Sequence, residues 1–187
     1  MTSWTGLNKP IEKVGLVGCG RMGRCMLQSM LDHGFSVVAY DKFPAAAESA
    51  AAMGAEIAAS PAELARRASV ILMSLPGPVQ LTEVLFGEDG LKKGLTSDHV
   101  VIDTSTVDPE TTRKNAAGVA DTGAAYLDCP ILGRPSATGK WMLPTGGNPQ
   151  ALAHVKPVLL TFAANAIPVG DSGAGNALKL LNQLMFS

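Results

Sequence analysis

The chain has 187 residues, 47% of them hydrophobic and 17% charged, with a formal net charge of −1. That composition suits a folded core and excludes disorder. Lys and Arg are scattered near overall neutrality, which excludes the basic footprint of a nucleic-acid or anionic-membrane binder. The length allows one full domain and the start of a second, and no apolar run approaches the roughly 20 residues that span a bilayer.

Residues 1–11 read as a polar N-terminal arm. The apolar run 14–17 then ends in glycines and reads as a strand. Met22, Met26 and Met30, with Cys25 and Ser29, recur at helical spacing over 22–31, so a helix is expected there, stopped near Gly34. A β-branched and aromatic run, 35–40, forms a second strand ending at Asp41. Pro44 opens an alanine-rich helix to about residue 53, closed by Gly54. Ser60-Pro61-Ala62-Glu63 is a helix start: Ser60 caps, Pro61 suits the first turn and Glu63 completes a capping box.

The continuous apolar run 70–75 predicts a strand buried on both faces, as in a parallel sheet. A further strand over 100–102 leads into Asp103-Thr104-Ser105-Thr106. Asp108-Pro109-Glu110 starts the next helix by the logic of Ser60. A short strand, 125–127, runs into Asp128. The Gly- and Pro-rich stretch 130–147 is expected to be loop, with at most one strand near 141–143. A helix over 149–162, bent at Pro157, precedes a strand at 167–169 and a last helix over 175–186. That last helix is apolar around most of its circumference and so expects burial.

Strands alternating with helices imply βαβ units. The fold class is therefore α/β: a Rossmann-type, doubly wound, mostly parallel sheet over 12–171. The start of an interdomain helix follows over 172–187. Ligands of such sheets bind outside the carboxyl ends of the strands. Five polar or glycine-bearing segments fall there: 18–23, Asp41, 75–78, 103–106 and 129–133.

Gly18-Cys19-Gly20-Arg21-Met22-Gly23 is a GxGxxG loop between a strand and a helix, the context that gives this motif meaning. Gly18 serves the tight turn, Gly20 the approach of a pyrophosphate, and Gly23 the close packing of helix on strand. Free N–H groups at the helix start complete an anion site. Asp41 can accept from the ribose hydroxyls and repels a 2′-phosphate, which favours NAD, with NADP as the alternative because Lys42 can pair with a phosphate. Asp41 also has a plain reading as a turn residue.

Cys19, Cys25 and Cys129 form no CxxC pair and no zinc spacing, so no metal is expected. An odd count without a secretory leader points to a reducing, cytoplasmic setting. His33, His99 and His154 lie far apart with no ligand spacing and read as surface or structural residues. Cys129 reads as a small apolar filler rather than a reactive thiol, and Trp141 and Met142 as packing residues.

The opening Val14-Gly15-Leu16-Val17-Gly18-Cys19-Gly20-Arg21-Met22-Gly23 resembles that of the β-hydroxyacid dehydrogenases, and the likeness runs from about residue 12 to the end. Leu75-Pro76 resembles the family's cofactor-contacting Leu-Pro turn, with Gln80 at its downstream contact. Asp103-Thr104-Ser105-Thr106-Val107-Asp108-Pro109 is similar to the segment beside the nicotinamide ribose, where Thr106 matches the contact residue. Gly173-Ala174-Gly175-Asn176-Ala177-Leu178-Lys179-Leu180-Leu181-Asn182-Gln183 is similar to the catalytic helix.

The resemblance implies Lys179 as general acid/base and Asn182, at i+3 on the same helix face, as a substrate-holding residue. A lysine desolvated beside a cofactor has a lowered pKa, as base chemistry requires. One departure concerns the substrate loop, which in the family reads Asp-x-Pro-x-Ser-Gly-Gly. Here Leu132 replaces the serine, Gly133 is kept, and Arg134 replaces the second glycine. This Leu-Gly-Arg-Pro version also resembles imine reductases. Arg134 either binds a substrate carboxylate by a bidentate pair or pairs with a structural acid.

The resemblance further implies an all-helical second domain, outside this chain, that closes the site and builds a homodimer or homotetramer. Two classes of function stay open. One is an NAD(P)-dependent oxidoreductase on a small 3-hydroxy acid, or its imine-reducing variant. The other is a non-catalytic nucleotide-binding or interaction module that docks a partner on its last helix.

Overall fold

A computed structural model describes Trp4 and residues 10–185. Most of the arm expected over 1–11, and the end of the helix expected to reach 186, lie outside the described residues. The chain order is β1 (Lys13–Val17), α1 (Arg21–Asp32), β2 (Ser36–Tyr40), α2 (Pro44–Ala52), β3 (Glu56–Ile57) and α3 (Pro61–Arg67). Then come β4 (Val70–Met73), α4 (Pro78–Phe86), β5 (Val100–Asp103), α5 (Pro109–Ala120) and β6 (Ala125–Asp128). The described residues end with β7 (Trp141–Gly147), α6 (Pro149–Leu159), β8 (Ala163–Gly170) and α7 (Ala174–Met185).

Among the described residues, eight strands form one sheet in the order β3-β2-β1-β4-β5-β6-β7-β8. Its pairs are parallel except β6 with β7, which run antiparallel. The sequence order reverses at β1, which lies between β2 and β4. At such a switch point successive connections leave to opposite faces, so a crevice opens at the carboxyl ends of β1 and β4.

The sheet is covered on both faces, as its apolar strands require. Val14 and Leu16 of β1 face one core with Met26 and Met30 of α1, Ala50 of α2, and Leu152 and Val155 of α6. Val17, Ile71 and Met73 face the other with Leu64 of α3, Leu81 and Leu85 of α4, and Val119 of α5. The alternation along β1 is the period-2 geometry of a strand. His99 is a structural residue, as expected, its ring nitrogens on the Ala65 carbonyl and on Thr96.

The structure corrects several sequence expectations. α4 was missed: Leu75-Pro76-Gly77-Pro78 read only as loop, although Pro78 occupies the first turn and Leu81 and Leu85 lie one turn apart on the buried face. The two-residue edge strand β3 and a 3₁₀ turn at Leu91–Lys93 are too short to leave a periodic signal. The Ser60 hydroxyl does accept from Glu63 N, but Glu63 returns its hydrogen bond to Ala59 N rather than to Ser60.

The largest difference lies in 130–147, expected to be mostly loop. β7 runs all the way from Trp141 to Gly147. Its antiparallel register with β6, Leu127 with Gly147 and Asp128 with Gly146, continues as an isolated bridge between Leu132 and Met142. That register sets Pro130 opposite Pro144. Neither has an N–H to donate, so the ladder breaks there and resumes two residues on. The prolines that hid the strand are the ones that interrupt its pairing.

Candidate active site

The glycine loop joins β1 to α1 and shows three different uses of a missing side chain. Gly18 has φ +93°, and a Cβ there would collide with the Ser74 carbonyl oxygen. At Gly23 a Cβ would collide with the Gly18 carbonyl oxygen, so α1 packs on the loop itself. Around Gly20 a Cβ would meet nothing within 4 Å. Protein packing therefore demands glycine at the first and third positions but not at the second, which faces open space.

Gly20 also starts α1 with no side-chain cap, so the first-turn N–H groups and the positive end of the helix dipole face that space. Within the loop, Arg21 is exposed, while Met22 and Cys19 pack into the core. Burial pushes the Cys19 thiol up to about 12, with the Asp41 charge adding to it, so it is inert as a nucleophile.

Asp41 ends β2 beside the loop. Its carboxylate accepts from Cys19 N at 2.7 Å and from Phe43 N at 2.9 Å, which leaves about half of its roughly four lone-pair sites free. Asp41 thus holds the loop in place, as a turn residue would, and still has acceptor capacity. It lines a 610 Å³ cleft with Gly18, Gly20, Leu75, Pro76 and Gln80. The far wall belongs to α4, the helix missed in the sequence, which contributes Glu83 and Val84. Lys42 crosses the cleft to Glu83 at 2.8 Å.

The remaining predicted site residues gather at β5, β6 and α7, away from this cleft. Lys179 donates from Nζ to the Ile131 carbonyl at 2.8 Å. It is half-buried, and burial lowers its pKa. Leu132 is half-buried, held by its bridge to Met142. Gly133 is exposed, but a Cβ there would run into the Trp141 indole, whose Nε1 donates to the Arg134 carbonyl at 2.7 Å. Trp141 is therefore the packing residue expected, and it clamps this loop. The Arg134 side chain is exposed and enters none of the ion pairs among the described residues. Asn182 is half-buried on α7 and Thr106 exposed after β5.

Three residues that organise this end were given no role from the sequence. Asp128, at the end of β6, accepts from Gly173 N and Asn176 N, both at 2.9 Å, and so caps α7 with a buried carboxylate. Asn176 accepts from Val107 N and donates to Thr112 Oγ1, tying the segment that carries Thr106 to the helix that carries Lys179. Ser105 Oγ accepts from Leu75 N, joining the loops after β4 and β5. Asp128 and Asn176 lie inside quoted motifs, but only the fold reveals that they meet.

The cluster is buried and its acidities shift accordingly. Burial raises Asp103 to about 6 against the hydrogen bonds of Ser105 and Tyr126, and raises Tyr126 and Asp128 as well. Burial likewise raises the Cys129 thiol, consistent with its reading as a filler.

An anion-ready glycine loop, a carboxylate at the end of the second strand and a cleft at the switch point define a dinucleotide-binding domain of the Rossmann type. Residues 13–170 match the family described as the NAD binding domain of 6-phosphogluconate dehydrogenase, and the chain belongs to it, within the β-hydroxyacid dehydrogenases. It is 30% identical to the mitochondrial 3-hydroxyisobutyrate dehydrogenase of Homo sapiens over 93% of this chain and 52% of that one. It is 34% identical to the 3-sulfolactaldehyde reductase of Escherichia coli over 92% of this chain and 58% of that one.

Among solved structures, the Mycobacterium tuberculosis 3-hydroxyisobutyrate dehydrogenase with L-serine superposes with a TM-score of 0.88 at 27% identity, over 95% of this chain and 60% of that one. The Streptomyces aurantiacus imine reductase superposes with a TM-score of 0.86 at 25% identity, over 93% and 61%. The chain thus spans little more than half the length of the relatives it matches.

Proposed function

We propose that this chain is the cofactor-binding part of an NAD(P)-dependent oxidoreductase acting on a small 3-hydroxy acid, with Lys179 as general acid/base. The observation that carries the reading is the placement of Lys179. It is the half-buried amine whose proton affinity burial lowers, held at the carboxyl edge of the same sheet that carries the glycine loop.

The residues present fit a dinucleotide. The pyrophosphate would lie at Gly20 and the first turn of α1, the one point of the loop where added atoms meet nothing. Asp41 would take the adenosine ribose, Leu75, Pro76 and Gln80 would line its path, and Thr106 would stand by the second ribose. When bound, the nicotinamide supplies the hydride acceptor or donor.

In the oxidising direction, Lys179 Nζ as free amine accepts the proton of the substrate hydroxyl; in reduction its ammonium returns that proton. Asn182, one turn on, donates to and orients the substrate. Leu132 and Gly133 form the wall opposite, and exposed Arg134 offers a carboxylate partner in place of the absent serine. The names of the relatives support this substrate class: two are dehydrogenases of branched hydroxy acids and one is a reductase of a three-carbon sulfonated aldehyde. Leu132 favours a second reading, because an apolar side chain at that position suits a substrate without a carboxylate, such as a cyclic imine.

The domain reading goes with this function. Residues 12–171 form the cofactor domain and 172–187 begin an interdomain helix. Exposed Leu181, Leu184 and Met185 on α7 are the face that a helical domain would cover in a cytoplasmic homodimer or homotetramer. No helix among the described residues is long and apolar enough to cross a membrane.

The test is a titration with NADH followed by nicotinamide fluorescence, then a panel of 3-hydroxy acids and cyclic imines assayed on the longest natural protein containing this chain. Saturable binding with hydroxy-acid oxidation is the expected result. Imine reduction alone moves the assignment to the second reading, and binding without any turnover leaves a nucleotide-binding module. No binding of either dinucleotide ends the proposal.

A further inference from the structure

The cleft between β2 and α4 carries an uneven set of charges. Among the described residues that line it there is one cation, Lys42, against four carboxylates: Asp41, Glu83, Glu88 and Asp89. The lone cation is engaged. Lys42 Nζ lies 2.8 Å from one carboxylate oxygen of Glu83 and 3.2 Å from the other. The two residues come from opposite walls, Lys42 from the loop after β2 and Glu83 from α4. Both side chains are exposed, so a ligand entering the cleft can reach them.

NAD and NADP differ by one phosphate on the adenosine 2′-oxygen, the atom that a carboxylate at the end of β2 addresses. A lysine next in sequence to that carboxylate is where a phosphate finds its counter-charge, unless another anion already holds it. Given the reading of this cleft as the adenosine site, we infer that Glu83 is a specificity-determining residue: it sequesters Lys42 and adds a second negative charge beside Asp41, turning the site against the 2′-phosphate. Asp41 alone favours a ribose diol; Glu83 removes the one group that would offset it. The residue sits on the helix that sequence reasoning missed, so the selectivity of the cleft depends on a contact across 41 positions of chain.

The test compares NADH and NADPH binding by nicotinamide fluorescence in the wild type, Glu83→Gln, Lys42→Ala and the double variant. Glu83→Gln keeps the shape and removes the charge. The ratio of dissociation constants is expected to shift toward NADPH by about fivefold at low salt, the scale of an exposed ion pair. The shift should shrink at high ionic strength and vanish in the double variant, since Lys42 is the group released. Lys42→Ala alone should move the ratio further from NADPH, because it leaves the Glu83 carboxylate unpaired beside Asp41. An unchanged ratio in Glu83→Gln overturns the inference, as does a loss of NADPH binding in the double variant relative to the wild type, which would show Lys42 already serving the phosphate. A wild type that binds neither dinucleotide fails earlier and indicts the cofactor reading instead.

Discussion

Around β1 and β4 the protein leaves backbone donors open. α1 and α4 start at Gly20 and Gly77, neither of which can cap with a side chain. Around β6 and α7 the equivalent donors are filled from within, by the Asp128 carboxylate on Gly173 N and Asn176 N. A helix start left unpaired is a place for an anion from solution. A helix start closed by a buried carboxylate binds nothing further, but it fixes every side chain on its first turns. Lys179 lies three residues after Asn176, within reach of that anchoring. One region leaves its helix starts open toward a cleft, and the other holds the Lys179 amine in place.

Removing the amine should give the largest effect. Lys179→Ala is expected to lower kcat by about 10²–10⁴-fold, the usual contribution of a general acid/base, while NADH still binds at the other end. Near-normal turnover in that variant would show that the anchored end does no chemistry.

The next test separates packing from ligand within the open end. Gly23→Ala drives a methyl into the Gly18 carbonyl, at about 3 kcal/mol for overpacking and a Tm about 6–12 °C lower. Gly20→Ala meets no protein atom. It should leave Tm within about 2 °C and weaken NADH binding by about tenfold or more, as expected where backbone must approach a pyrophosphate. Calorimetry beside fluorescence titration reads both. If Gly20→Ala bound NADH normally, the open space would not be a pyrophosphate site.

The smallest effect concerns the closed end and pH. Asp103, beneath the segment that carries Thr106, is raised by burial from 3.8 to about 6. The folded protein therefore keeps this proton where the unfolded chain has lost it. Its stabilising contribution is full below the ordinary carboxylate value and is lost as pH rises through about 6. The exposed carboxylates Glu56, Glu63, Asp108 and Glu110 shift the other way, their pKa lowered by hydrogen bonds, and matter only at more acid pH. His154, whose pKa burial lowers, acts in the opposite sense over the same interval, so the Asp103 contribution is read as a difference: between about pH 7.5 and 5, Tm of the wild type should gain a few degrees relative to that of Asp103→Asn. Parallel Tm profiles in the two proteins over that interval contradict the burial account.

Much of the open end was legible because its signals are local. The GxGxxG loop, Asp41 at a strand end and the caps at Ser60 and Asp108 each lie within a few residues of the feature they create. The closed end was legible only in part. The start of the last helix was read within a residue, and the quoted motif pointed to Lys179. The strand β7 was hidden by Pro144, which sits where the β6–β7 ladder is interrupted and so costs no pairing that the ladder makes. Asp128 and Asn176 looked like ordinary motif residues because their partners are more than 40 positions away.

By itself, then, the sequence determined the class of fold and the glycine loop, because periodicity, turn chemistry and capping act over a few residues. Tertiary structure alone decided that Asp41 holds the glycine loop, that Asn176 ties the segment after β5 to α7, and that Lys42 faces Glu83. Those are pairings between distant segments, and their free energy exists only once burial and the sheet order have brought the segments together.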